Sequence, residues 1–304
     1  SKFEIFNNKD EAIKYLDNSK YPIVIKADGL ASGKGVYICK SNNEAKNAVS
    51  EIFDGKFGKA DCVLVEEFLN GEEMSYFIIS DGKEYKSFQT AQDHKRVGEG
   101  DTGPNTGGMG SYSPSRLSNK NLEAKINKKI IEPTLAGLKK LNTEYVGFLY
   151  VGLMISNNEP YLIEFNVRMG DPECQTILPL LKSDLGEIIL SCCNQSLSSQ
   201  KIEWLYKKSL CIVLCSDGYP GEYKKKVIIK NTDNLNLQEG QYLIHAGTKY
   251  IDKDLYSYGG RVLNIVVTSN TFENSRKKAL EILDKINWGN GFYRKDIGYN
   301  VINT

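Results

Sequence analysis

One short run constrains this chain more than any other: Tyr161-Leu162-Ile163-Glu164-Phe165-Asn166-Val167-Arg168, followed at once by Met169-Gly170-Asp171-Pro172-Glu173. The apolar start, Tyr161 to Ile163, predicts a β-strand. Side chains on a strand alternate between faces, so Glu164, Asn166 and Arg168 should share one side. A carboxylate and an amide oxygen in a row can hold magnesium, and a guanidinium beside them can grip phosphate oxygens. That combination points to nucleotide phosphate chemistry. A solvated strand face carries the same pattern, so the decision rests on the remainder of the chain.

The 304 residues leave room for two or three domains with cores of their own. Hydrophobic residues form 40%, charged residues 25%, and the net charge is +1, so no global field argues for a nucleic acid or an anionic membrane as partner. The runs Lys207-Lys208 and Lys224-Lys225-Lys226 read as solvated surface. No apolar run reaches bilayer-spanning length, and Ser1-Lys2-Phe3-Glu4 has no secretory pattern. Seven cysteines, an odd number without Cys-x-x-Cys spacing, read as thiols of a reducing cytosol, so the expected location is cytoplasmic. With His94 and His245 the only histidines, a histidine-rich metal site is ruled out and a Ser-His-Asp triad has little support.

Periodicity lays out the elements. A short helix over 8–16 precedes a strand over 21–26, a glycine-rich loop, a strand over 36–40, a helix over 43–53 and a buried strand over 63–65. Segments 74–80 and 85–90 should form a hairpin around Asp81-Gly82. Residues 98–110, dense in Gly, Thr, Pro and Asn, are expected to be a loop. Residues 122–141 form a long amphipathic helix that Pro133 should kink or divide. Residues 145–155 and 161–168 should pair antiparallel through Asn157-Asn158, and 175–193 should be helical with a break near Pro179. Beyond about residue 208 strands dominate, and one helix over 271–286 follows a capping-box-like run from Asn270 to Glu273. This last part is expected to be a separate small domain packed on the first.

A second strong feature is Lys26-Ala27-Asp28-Gly29-Leu30-Ala31-Ser32-Gly33-Lys34-Gly35. Its glycines let backbone N–H groups turn toward an anion, and its lysines add positive charge. It is not a Walker loop: three residues, not four, separate Gly29 from Gly33, Gly35 rather than Ser or Thr follows Lys34, and a strand rather than a helix comes next. The loop reads as a flap in a strand-loop-strand hairpin that closes over phosphates. A third element, Glu66-Glu67-Phe68-Leu69-Asn70-Gly71-Glu72-Glu73, follows one strand and precedes another, where backbone groups can meet an adenine edge and a carboxylate can meet ribose hydroxyls.

These three elements in this order resemble the ATP-grasp superfamily. In detail, the lysine loop, Gln92-Asp93-His94-Lys95-Arg96, Asp101-Thr102-Gly103-Pro104-Asn105-Thr106-Gly107-Gly108-Met109-Gly110 and Arg168-Met169-Gly170-Asp171-Pro172-Glu173 resemble the glycinamide ribonucleotide synthetase (phosphoribosylamine–glycine ligase) family. Gly259-Gly260-Arg261-Val262 and Arg294-Lys295-Asp296-Ile297-Gly298 are similar to its closing domain.

The resemblance implies an α+β architecture, two ATP-grasp subdomains gripping ATP plus a small, mostly-β C-terminal domain, divided as 1–72 (lid), 73–207 (core) and 208–304 (closing domain). It implies ATP-dependent ligation of glycine to 5-phosphoribosylamine through glycyl phosphate, a step of purine synthesis, with magnesium or manganese as cofactor and no nucleic-acid or membrane partner. Carried over by position, Glu164 and Asn166 ligate the metal. Lys26, Lys34, Gly33 and Gly35 meet the phosphates, Glu66 and Phe68 meet adenine through the backbone, and Glu73 holds the ribose. Arg168 and Lys34 serve phosphoryl transfer, and Asp93, Lys95, Arg96 and Asp171 are candidates for glycine and phosphoribosylamine contacts.

Members of that family start with an additional α/β domain of about a hundred residues, an ordinary domain size. This chain opens after that point, so the expectation is that it is a fragment of a longer protein, that a separate chain supplies the rest, or that the protein has changed its job, and the chain alone is expected to bind Mg-ATP weakly and turn over poorly or not at all. Two other readings stay open at this stage: a non-catalytic or partner-dependent ATP-binding module, and an ATP-grasp ligase for a different acid and amine.

Overall fold

The computed structural model describes residues 1–29 and 35–302. They fall into two compact units, Ser1–Glu72 and Glu73–Thr304.

The first unit is a four-stranded antiparallel sheet with two helices on one face. Strands β1 (Phe3–Phe6), β2 (Ile23–Ala27), β3 (Val36–Cys39) and β4 (Val63–Glu67) lie in the order β1-β4-β2-β3. Helix α1 (Lys9–Leu16) starts at Asn8, whose side chain accepts the Asp10 and Glu11 amides, and α2 (Asn42–Phe53) starts at Ser41, which accepts the Glu44 amide. Their apolar stripes, Ala12 and Leu16, then Ala45, Ala48, Val49 and Ile52, bury Ile23, Ile25, Val63 and Val65. Alternation sends Phe3, Ile5, Val24, Lys26, Val36, Ile38, Leu64 and Glu66 to the opposite face.

The second unit holds two larger sheets. Strands β5 (Glu72–Asp81) and β6 (Tyr85–Ser87) form the expected hairpin. They join β11 (Val146–Ser156) and β12 (Glu159–Asn166) in the order β12-β11-β5-β6. One face packs Met74, Tyr76, Ile78, Leu149, Val151 and Leu153 on α3 (Lys120–Ile126) and the turn after it. The other packs Phe77, Ile79 and Tyr150 on α5 (Glu173–Ile177) and α6 (Leu185–Cys193).

Between these strands in sequence lie β7 (Gln92–Asp93), β8 (Arg96–Gly98), β9 (Thr102–Asn105) and β10 (Gly110–Ser113). Downstream come β13 (Lys208–Ser216), β14 (Val227–Ile229), β15 (Gln241–His245), β16 (Thr248–Ile251), β17 (Asp254–Ser257), β18 (Arg261–Ser269) and β19 (Gly291–Phe292). The six-stranded sheet runs β15-β18-β13-β10-β7 with β19 on β13, and α7 (Phe272–Leu283) covers it. A division at residue 208 cuts through this sheet, because β7 and β10 belong to it together with β13 and β18.

Two local expectations are corrected, and the division of the long helix near Pro133 is as expected. The glycine-rich 98–110 segment is not all loop: β9 lies within it and pairs back on β8 around Gly100 and Asp101, both with positive φ. The long helix is divided by a π-helical turn, Asn127–Ile131, immediately before α4 (Glu132–Lys140), because Pro133 has no N–H to continue the regular ladder. The cap of α7 is Thr271, whose hydroxyl accepts the Asn274 amide at 3.2 Å, and not Asn270.

Candidate functional site

In the first unit, β2 and β3 pair up to Lys26 and Val36, and the Ala27 amide bonds the Gly35 carbonyl at 2.9 Å. The glycine-rich segment therefore lies between two strands paired with each other, and a strand rather than a helix follows it, as the sequence implied. Gly33 and Lys34 lie outside the described residues. Lys26 is on the helix-free face with its Nζ 2.8 Å from Glu66 Oε2, a single ion pair among apolar neighbours. Phe68 stands one residue past the end of β4, and a groove of about 520 Å³ within this unit borders Glu66, Glu67 and Phe68 together with Phe3 and Tyr21. That volume suits a nucleotide base.

In the second unit, Gly152 pairs with Glu164 and Leu153 with Leu162, so Ile163 is an extra residue, a β-bulge. The bulge lets Leu162 and Phe165 both pack into one core while Glu164 and Asn166 keep the other face. Asn166 Nδ2 sits 3.3 Å from Glu164 Oε1. Gly152 is the floor beneath them: a Cβ there would stand 3.1 Å from Glu164 Cγ and 3.2 Å from Tyr150 Cε1. The strand ends at Asn166, so Arg168 does not share its face by alternation. It is exposed past the strand end, and its Nη1 donates to the Met169 carbonyl at 2.9 Å.

A buried polar cluster lies on the Tyr150 side of the same sheet. Ser75 donates to Glu173 Oε1 at 2.9 Å and lies 3.4 Å from the Tyr150 hydroxyl. Lys95 Nζ bonds Glu73 Oε2 at 2.5 Å. Burial alone would lower the Lys95 ammonium, but Glu73, Tyr150 and Asp93 outweigh it and raise it. Asp93 Oδ1 is shielded from solvent and has no hydrogen-bond partner. Burial, reinforced by the Glu173 charge, pushes the Asp93 carboxyl well up, and burial also raises Glu173. Gly108, at φ +113°, closes over this group: a Cβ there would lie 2.5 Å from Pro172 Cδ and 2.8 Å from Asp93 Oδ1. Gly108→Ala combines a clash with a left-handed backbone, and is expected to lower Tm by roughly 4–8 °C in calorimetry.

Arg261 ties the signature loops to one another. Its Nη1 bonds the carbonyls of Gly107 (2.7 Å) and Asp171 (2.9 Å), and its Nη2 bonds Asp171 Oδ2 at 3.0 Å. The Gly107 amide donates to the Tyr219 hydroxyl at 2.9 Å. The Asp171 carboxylate is thus engaged by Arg261 and Gln175, and Glu73 by Lys95, contacts that the sequence reasoning did not include. Arg261, Tyr219, Ser75, Tyr150 and Glu173 were not singled out as site residues. The quoted Gly259-Gly260-Arg261 run was the one available signal for Arg261, since its partners lie 90 or more positions away.

Glu164 and Asn166 offer two hard oxygens, and among the described residues no group of three or more His, Cys, Asp or Glu is placed to hold a metal. That suits magnesium, which keeps several waters and uses one or two protein oxygens plus substrate phosphates.

Comparison with known proteins bears on the family and the fold. Residues 1–174 match the family model described as phosphoribosylglycinamide synthetase, ATP-grasp (A) domain, and residues 209–300 match its C domain. The phosphoribosylamine–glycine ligase of Brucella melitensis is 44% identical over 298 residues, 98% of this chain and 70% of that protein. The chain belongs to the phosphoribosylamine–glycine ligase family. Its Arabidopsis thaliana relative of the same name, chloroplastic, is 44% identical over 308 residues and is spanned to 58% of its length. The crystal structure of the ligase from Thermotoga maritima superposes with a TM-score of 0.89 at 34% identity, covering 98% of this chain and 74% of that one. Biotin carboxylase of Campylobacter jejuni, at 15% identity and a TM-score of 0.71, shares the ATP-grasp fold alone. In this ligase family member the α+β ATP-grasp arrangement is followed by a mostly-β C-terminal region.

Proposed function

We propose that this chain carries out ATP-dependent ligation of glycine to 5-phosphoribosylamine. The supporting observation is the Glu164–Asn166 pair on one face of β12, with Arg168 just beyond it and no carboxylate pairing with that arginine among the described residues. A carboxylate is a poor electrophile. ATP gives its γ-phosphoryl group to a glycine carboxylate oxygen, and ADP leaves. The amine then attacks the carbonyl carbon of glycyl phosphate. The C–O bond to phosphate breaks with its electron pair, and the nitrogen gives up a proton.

Glu164 and Asn166 would hold magnesium or manganese, which when bound neutralises phosphate charge. Lys26, with Gly33, Lys34 and Gly35 of the lysine hairpin, meets the ATP phosphates, Glu66 and Phe68 meet adenine, and Glu73, fixed by Lys95, faces the ribose. Arg168 offers its remaining donors to the phosphoryl group in flight. Asp93, buried and unpartnered at Oδ1, receives an amine N–H of a substrate, with Lys95 and Arg96 beside it in sequence and Asp171 acting through its ties to Arg261. Among the described residues no helix is long and apolar enough to cross a membrane. A cytoplasmic location is part of the proposal.

The test is glycine-dependent ADP release by the full-length protein, with hydroxylamine present to capture glycyl phosphate as the hydroxamate. ADP release indifferent to glycine would sink the assignment. Arg168→Lys is expected to lower kcat about tenfold or more while changing the KM for ATP by less than about threefold, because lysine keeps the charge and loses the planar fork. A change confined to ATP affinity, seen in initial rates, would remove Arg168 from the transfer step.

A further inference from the structure

The reaction proposed above handles two phosphate groups: the one that leaves ATP and the one the acceptor carries on its sugar. Beside the signature runs, two arginines have no carboxylate partner among the described residues. Arg168 bonds one carbonyl, and Arg96 donates through Nη1 to the Gly103 carbonyl at 2.8 Å. If Arg168 serves the moving phosphoryl group, Arg96 is the guanidinium left for the second phosphate.

Arg96 opens the β8–β9 hairpin, and a lone two-stranded hairpin has little stability of its own. This one is held by residues far downstream. Arg294, 1% exposed, bonds the Arg96 carbonyl at 3.0 Å and Asp101 Oδ1 at 2.7 Å through Nη1, and grips both Asp296 oxygens at 2.8 Å. Asp296 Oδ2 in turn accepts the Gly100 amide at 2.8 Å, and Glu99 Oε1 accepts the Lys295 amide at 3.0 Å. Tyr299 donates to Asp101 Oδ2 at 2.9 Å, and the Gly298 amide donates to His94 Nε2 at 3.0 Å. The contacts meet the hairpin at its first residue and at each residue of its turn. A charge pair serving stability alone would not need to seize the Arg96 carbonyl and the Gly100 amide as well.

We propose that Arg294 is a positioning residue for the acceptor end of the site. By fixing the Arg96 carbonyl and the Asp101 carboxylate, it sets where the Arg96 guanidinium meets the acceptor's phosphate. The inference rests on the ligase reading above.

The test compares Arg294→Lys, Tyr299→Phe and Arg96→Gln in the full-length protein. Arg294→Lys should raise the KM for phosphoribosylamine about tenfold or more, since lysine cannot span four acceptors, and Tyr299→Phe about threefold. Both should leave hydroxamate formation from glycine and ATP within about twofold of the wild type, because that half-reaction needs no acceptor. Arg96→Gln should raise the same KM, and adding Tyr299→Phe to it should cost nothing more. Amide exchange over 96–105 should quicken in Arg294→Lys. Should that variant fail to fold, Tyr299→Phe and its combination with Arg96→Gln decide the matter. An unchanged acceptor KM, or equal loss of hydroxamate formation and ligation, overturns the proposal. A wild-type protein that makes no hydroxamate sinks the ligase reading, and this inference with it.

Discussion

Glu164→Gln is expected to cut kcat by about 10²–10³ while leaving Tm within about 2 °C of the wild type. The two outcomes have separate causes. Glu164 is exposed, pairs with no cation among the described residues and touches Asn166 only at 3.3 Å, so the isosteric amide removes little that holds the fold together. What it removes is the formal charge on one of two metal oxygens. Phosphoryl transfer relies on electrostatic stabilisation, and deleting one preorganised contributor typically costs about 10²–10³, or roughly 3–4 kcal/mol. The loss should appear mainly in kcat at saturating ATP and should be partly recovered at high magnesium, where weakened binding is offset by concentration. Initial rates across a magnesium series, alongside a thermal melt, measure both. Activity within threefold of the wild type at every magnesium level would contradict the metal assignment, and a large drop in Tm would reassign Glu164 to structure.

Much of the site was legible because its chemistry is local in sequence. Glu164 and Asn166 are two positions apart on a strand, and period two alone places them together. The lysine hairpin was separable from a Walker loop by counting residues between glycines and noting that a strand follows. Four features escaped this reasoning for physical reasons. The bulge at Ile163 adds a residue without altering composition, and it decides how Leu162 and Phe165 reach one core. The β8–β9 hairpin looks like loop because its residues have poor strand propensity, and contacts from Arg294 and Asp296 hold it instead. The engagement of Asp171 by Arg261 spans 90 positions, a distance at which no periodicity carries information. The same holds for the joining of β7 and β10 to β13, which makes one sheet from segments that read as belonging to different domains.

Asp93→Asn should make the protein more stable at pH 8 and nearly inactive. Asp93 lies under Gly108, with Oδ1 unpartnered, and burial together with the Glu173 charge raises its carboxyl well above the usual range. In an unfolded chain an aspartate titrates near 3.9. Below about pH 4 the folded and unfolded states both keep the proton, and the raised value costs nothing. As pH climbs past 4, the unfolded chain releases its proton first, so stability falls until the folded carboxyl ionises too. At pH 8 the unfolded chain is fully ionised, the native state bears the cost of the raised carboxyl, and the amide removes it. The variant's Tm is therefore expected to exceed the wild type's by roughly 2–4 °C at pH 8, with the gap closing toward pH 4. Asp101 acts in the opposite sense: hydrogen bonds from His94, then Arg294 and Tyr299, hold its carboxyl low, so its contribution is present above about pH 4 and lost on acidification. Only the difference between variant and wild type isolates Asp93. Turnover should fall about a hundredfold, because an amide neither accepts a proton nor carries the charge that an ammonium substrate requires. Equal melting temperatures at pH 8, or a gap that widens as pH falls, would show that Asp93 is not held against its own ionisation. A stabilised but inactive variant would place Asp93 among groups kept at a cost to the fold for the sake of the reaction.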